Sequence, residues 1–121
     1  MGEAGVPGHE ILRGVLVVRV EGPIDEACGA RVADLASSSQ GAAAKGVILD
    51  LAGLDYLSSL GVAVLLKLQT ALAVRKRTLA IASPTPLVRR ILHQAGIAGI
   101  LPIHSTVDAA CGQQPPTNKA P

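Results

Sequence analysis

The sequence predicts an α/β domain with a mixed, mostly parallel β-sheet of about four to five strands and about four helices. Short apolar runs recur at Val15–Val20, Gly46–Leu51 and Leu79–Ala82. Each is followed by a stretch rich in turn-forming and capping residues and then by a segment with helical spacing of apolar residues, the alternation expected of strands joined by crossover helices. The run Gly46-Val-Ile-Leu-Asp-Leu51 shows no alternation of apolar and polar residues, which suits a central strand covered on both faces.

The elements follow in order. Gly14 punctuates two extended segments, Glu10–Arg13 and the β-branched Val15–Val20, and predicts an antiparallel first pair. Gly22-Pro23 ends the second, and Asp25 caps a helix from Glu26 to about Ser38, closed by Ser37–Gly41. After the Gly46–Leu51 strand, a second helix is expected from about Ser59 to Arg77, with Arg75, Lys76 and Arg77 in its last turn, where cations suit the helix dipole. Leu79–Ala82 is a further strand. Ser83-Pro84-Thr85-Pro86 leads into a helix through Gln94 that Gly96 stops. Ile100–Ile103 reads as a short strand, and Thr106 caps a last helix ending near Cys111.

The 121 residues fit one domain, expected over residues 10–111, with residues 1–9 flexible and residues 112–121 a disordered tail that has nothing to bury. The composition is 49% hydrophobic, yet Tyr56 is the one aromatic residue, so Leu, Ile, Val and Ala must pack the core. Lys67 and Pro102 interrupt the longest apolar runs well short of the roughly 20 residues a membrane helix needs. The first ten residues carry acid and no apolar h-region, so no secretory signal is expected and the protein is placed in the cytoplasm. Cys28 and Cys111 lack metal or CxxC spacing and fit reduced thiols; whether they pair is left open. The net charge of +2 implies no partner type.

Chemistry-bearing motifs are few. No serine lies in a GxSxG context and no GxGxxG or P-loop sequence is present, so neither an enzyme nor a nucleotide cofactor is expected. His9, His93 and His104 have no metal-ligand spacing. The basic residues Arg75–Arg77, Arg89 and Arg90 come without aromatic residues for stacking, which argues against nucleic acid. The informative segment is the junction at Ser58-Ser59-Leu60-Gly61, where a strand and short loop run into a helix. Serines there are good N-caps, and a helix start also favours a phosphate electrostatically. Capping and modification are both open readings. The helix wheel places Leu60, Val64, Leu68, Ala71 and Leu72 toward the sheet, leaving Val62, Leu66 and Ala73 outward as an apolar patch of the kind that marks interaction sites.

From Val15 to Ala110 the chain resembles a STAS domain of the bacterial anti-sigma factor antagonists. The resemblance rests on Leu16-Val-Val-Arg-Val-Glu-Gly-Pro-Ile-Asp25, Val47-Ile-Leu-Asp-Leu, the Ser58–Gly61 turn, Ser83-Pro84 and Val88–Ile97. It implies a non-enzymatic regulator that binds a serine-kinase anti-sigma factor of the histidine-kinase-like ATPase type, frees a sigma factor, and is switched off by serine phosphorylation. Neither a cofactor nor a membrane enters this role. The family usually reads Asp, Ser, Ser or Thr, Gly before the second helix and is phosphorylated on the first serine. That position falls on Ser59, with Ser58 as second candidate; Ser58 stands where the family has Asp, and Leu60 where it has a hydroxyl. The partner surface implied comprises Asp25, Ser58, Ser59, Leu60, Gly61, Val62 and Leu66. The alternative is a phosphorylation-independent STAS scaffold or sensor that binds a protein partner or a small apolar ligand.

Overall fold

The computed structural model describes residues 8–38 and 41–113. Five strands, β1 (His9–Leu12), β2 (Val15–Arg19), β3 (Gly46–Asp50), β4 (Thr78–Ala82) and β5 (Ile103–His104), form one sheet in the order β1-β2-β3-β4-β5. Strands β1 and β2 are antiparallel, and β2 to β5 are parallel. The α-helices are α1 (Glu26–Ser37), α2 (Ser59–Val74), α3 (Pro86–Gln94) and α4 (Val107–Gln113). Residues 1–7 and 114–121, where a flexible N-terminus and a disordered tail are expected, lie outside the described residues. Strand β1 starts at His9, one residue earlier than expected, and α4 runs two residues past Cys111.

Local chemistry accounts for the boundaries. Leu12 pairs with Val15 across a two-residue turn in which Arg13 and Gly14 both have positive φ, at 53° and 81°. That is the left-handed backbone matching the twist of a hairpin. The α-helices open on side-chain caps: Asp25 accepts from the Cys28 amide, Ser58 from Gly61, Thr85 from Val88 and Thr106 from Ala109. Pro86 occupies the first turn of α3, where a missing N–H costs nothing.

The sheet separates two apolar layers. Leu16, Val18, Val47, Leu49, Leu79 and Ile81 face α1, α2 and α3, while Val15, Val17, Ile48, Ala80 and Ala82 face the other way and meet Ala110 and Cys111 of α4. Strand residues therefore alternate between two covered faces, which is why β3 reads as one apolar run. Cys28 packs on the first layer and Cys111 on the second, so the sheet stands between the two thiols and both are free.

Three expectations are corrected. Helix α2 ends at Val74, not Arg77. Lys76 takes φ 61°, its amide bonds Ala73 O, and the Arg77 amide bonds Leu72 O, a pair of reversed bonds that closes the helix and turns the chain into β4. Ile100 is not in a strand: Ile97–Gly99 forms a 3₁₀ turn, Ile100 and Leu101 amides both bond Ile97 O, and β5 begins only at Ile103. The stripe of α2 that meets the sheet is Gly61, Val64, Leu65, Leu68 and Leu72; Leu60 and Ala71 are exposed. Val62 and Leu66 pack partly against the core and are not an outward patch, although Ala73 is exposed as expected.

Candidate functional site

The C-terminal ends of β2, β3, β4 and β5 each pass through a short loop into a capped helix, so the starts of α1 to α4 gather at one end of the sheet. The loops are joined by backbone bonds, Val20 N to Asp50 O at 3.0 Å and Leu51 N to Ala82 O at 2.9 Å. The Thr85 hydroxyl donates to Leu54 O at 3.4 Å, tying the start of α3 to the loop before α2. Crevices at the carboxyl ends of parallel strands are where α/β folds generally carry function.

The loop between β3 and α2 is held by its own sequence. In Leu51-Ala-Gly-Leu-Asp-Tyr-Leu57 every third residue, Leu51, Leu54 and Leu57, is buried to 3% exposure or less. The residues between are turned out, leaving Asp55 exposed and Tyr56 62% exposed. The Asp50 carboxylate accepts from the Ala52 amide at 3.0 Å and closes the first turn of the loop. A rigid platform thus delivers the chain to Ser58.

Ser58 and Ser59 have different environments. The Ser58 hydroxyl accepts from the Gly61 amide at 3.1 Å and caps α2. Ser59 is the first residue of the helix, is exposed, and its hydroxyl makes no hydrogen bond among the described residues. Leu60, one residue on, is 49% exposed. Asp and Ser are both leading N-cap residues, so the Asp the family carries at this position and Ser58 here are equivalent for building the turn.

Asp25 sits on the neighbouring loop. Its carboxylate accepts from the Cys28 amide at 2.9 Å as the cap of α1. Ile24 reaches the start of α2: a Cβ on Gly61 would stand 3.2 Å from Ile24 O and 2.6 Å from Leu57 Cδ1. The Asp25 and Ser58–Ser59 loops are therefore in contact through Ile24 and Gly61, and Glu21 packs on Gly53 of the same loop. Gly61 is buried and acts as the spacer that allows this approach. The Cys28 thiol is held above its ordinary range by burial first and by Asp25 second, which disfavours the reactive thiolate. Among the described residues no group of His, Cys, Asp and Glu side chains converges on a possible metal position.

Of the residues picked from sequence, the structure assembles Asp25, Ser58, Ser59, Leu60 and Gly61 at one end of the sheet, while Val62 and Leu66 recede toward the core. At this end of the sheet two exposed apolar residues escaped the sequence reading, Tyr56 and, at the second position of α3, Leu87 at 46% exposure. The spacing of Leu51, Leu54 and Leu57 could have revealed Tyr56; nothing local marks Leu87.

The STAS domain family matches residues 7–110. Among solved structures, an anti-sigma factor antagonist from Mycobacterium paratuberculosis has a TM-score of 0.70 at 24% identity, covering 88% of this chain and 90% of that one. A sulfate transporter family protein from Wolinella succinogenes has a TM-score of 0.71 at 18% identity, over 85% and 86% of the two chains. The Bacillus cell fate determinant SpoIIAA in its phosphorylated form has a TM-score of 0.63 at 19% identity, over 88% and 97%. At such identities these likenesses show the fold. No curated protein matches the sequence.

Proposed function

The chain belongs to the STAS domain family, and on that premise we propose that it is an anti-sigma factor antagonist whose unphosphorylated form binds a serine-kinase anti-sigma factor in the cytoplasm. Binding frees the sigma factor, and phosphate on Ser59 ends the contact. The role is one of binding, with no catalytic residue required of this chain.

The observation that carries this reading is the division of labour between the two serines. Ser58 is committed to the cap, whereas Ser59 is exposed with an unengaged hydroxyl at the helix start. A phosphate there would lie near the positive end of the α2 dipole, which holds the anion in place. It would also put about −1.5 to −2 charges between Tyr56 and Leu60, the exposed apolar residues of that surface. An apolar contact made by these residues tolerates a hydroxyl and expels a phosphate. Asp25, on the adjoining loop, belongs to the same contact. One solved relative of this fold, SpoIIAA, is described in a phosphorylated form, which supports the same chemistry here.

A second reading, binding without modification, is favoured by a groove of about 470 Å³ between α1 and α2. It is lined by Gly29, Ala30, Val64, Leu68 and Ala71 with Glu26 and Lys67 at its rim, and would admit a small apolar ligand. The two readings separate by mass spectrometry of the intact protein and its peptides after incubation with ATP and each serine-kinase anti-sigma factor of its genome. One phosphate on the wild type, absent from Ser59→Ala, is the expected result. No phosphate with any of these kinases would overturn the switch.

A further inference from the structure

The two ends of the sheet differ in the balance of their charges, one basic and the other mainly acidic. At the N-terminal ends of the parallel strands, Arg13 lies in the turn before β2, Lys45 immediately precedes β3, and Arg75, Lys76 and Arg77 link α2 to β4. The register makes this a row. The Lys45 amide bonds Gly14 O at 2.8 Å and Gly46 pairs with Thr78, so Arg13-Gly14, Lys45 and Arg77 come on successive strands. Adjacent strands are about 4.8 Å apart. Arg13, Lys45, Arg75 and Lys76 are all exposed. Arg77 donates to Ala36 O at 2.8 Å, and Arg75 reaches Ser37 Oγ at 3.5 Å, holding the row against the end of α1.

The opposite end presents Glu21, Asp25, Glu26, Asp50 and Asp55 on the loops after β2 and β3 and at the start of α1, a majority of acids over Arg19 at the end of β2 and Arg89 and Arg90 at the start of α3. Each end also exposes apolar side chains beside its charges. Val74, the last residue of α2, is 79% exposed next to Arg75 and Lys76, and Tyr56 is 62% exposed next to Asp55. Like charges gathered on one surface repel, and an oppositely charged surface of matching pattern relieves that cost while steering approach. A surface with this pattern is present on the chain itself.

We infer that the protein associates head to tail with a second copy of itself, the basic end around Val74 docking on the acidic end around Tyr56. The contact joins two different surfaces, so a pair of copies still leaves one acidic and one basic end free and the assembly extends beyond a dimer. It covers the end that carries Ser59, and association competes with any partner or enzyme that needs that serine. The association itself does not depend on the function proposed above.

The test is analytical ultracentrifugation of the full chain over a range of concentrations and salt. At about 10 mM salt, where charges act over about 30 Å, the mass should rise with concentration above the 12.3 kDa monomer, and at about 1 M it should return to monomer. Lys45→Glu with Arg75→Glu should abolish association, and so should Glu26→Lys with Asp55→Lys. Equimolar mixing of the two double variants should restore it, because each supplies the surface the other lacks. Circular dichroism of each variant keeps loss of fold distinct from loss of contact. A monomer at every concentration in low salt, association indifferent to either variant, or no recovery on mixing would each overturn the inference.

Discussion

Gly61 lies so close to Ile24 that a single added methyl group would stand 3.2 Å from the Ile24 carbonyl oxygen, and 2.6 Å from Leu57 Cδ1. Leu57 is 2% exposed and Ile24 4%, so neither has free space into which to move. Glycine inside a helix normally costs roughly 1 kcal/mol relative to alanine, yet here it lets the loop after β2 seat against the start of α2.

Gly61→Ala should accordingly destabilise the protein by about 1–2 kcal/mol, the overpacking cost exceeding the gain in helix propensity. Urea unfolding read by circular dichroism measures the difference. An increase in stability would show that the two loops can part at no cost and that Gly61 spaces nothing.

The bond from Gly61 N to Ser58 Oγ makes a second, separable prediction. Ser58→Ala should cost about 1 kcal/mol by removing the cap, whereas Ser58→Asp should keep it. The thermal midpoints of the two variants should therefore diverge, with Ser58→Asp close to wild type. Equal losses would mean that the hydroxyl does more than cap.

These caps explain how far the sequence could be read. Asp25, Ser58 and Thr106 were legible because capping is local: a short polar side chain three residues before the amide it serves, an arrangement Thr85 shares although it was read only as part of the lead into α3. The break at Gly14 and the Gly96 stop, at φ 78°, were legible for the same reason, although Arg13, read as strand, belongs to the turn. The end of α2 was not, because apolar periodicity continues to Val74 and nothing in composition announces that Lys76 adopts a left-handed backbone. Nor was the orientation of α2. Apolar residues surround nearly its whole circumference, and a wheel offers several equivalent stripes; packing against the sheet chose the one with Gly61 and Leu65, turning Leu60 outward. Ile100 was drawn into a strand by its neighbours' hydrophobicity, but it is 51% exposed and held in a turn by Ile97 O.

That rotation of α2 decides which substitutions probe partner binding. Leu60→Asp places an acid on an exposed position in the first turn, where the helix dipole favours it, so stability should stay within about 0.5 kcal/mol or rise slightly. Affinity for the anti-sigma factor proposed as its partner should fall at least about tenfold, equivalent to about 1.4 kcal/mol. Leu66→Asp, which puts charge against the core cluster, should instead destabilise by about 1–3 kcal/mol. Isothermal titration calorimetry beside urea unfolding separates the two effects. Wild-type affinity in a folded Leu60→Asp variant would remove Leu60 from the contact.

His104 should make stability depend on pH. It closes β5, its carbonyl accepts from the Ser83 amide at 2.9 Å, and its Nε2 is buried with no hydrogen-bond partner among the described residues. Burial lowers its pKa below the ordinary histidine value of 6.5. Between the lowered folded value and 6.5 the unfolded chain binds the proton more readily, so stability rises with pH through this window. The contribution is fully present above 6.5, is lost progressively as pH falls toward the folded value, and is constant below it. Urea midpoints taken from pH 7.5 down to pH 5 should decline, and His104→Asn should flatten that part of the curve. An identical decline in His104→Asn would assign the effect to other groups.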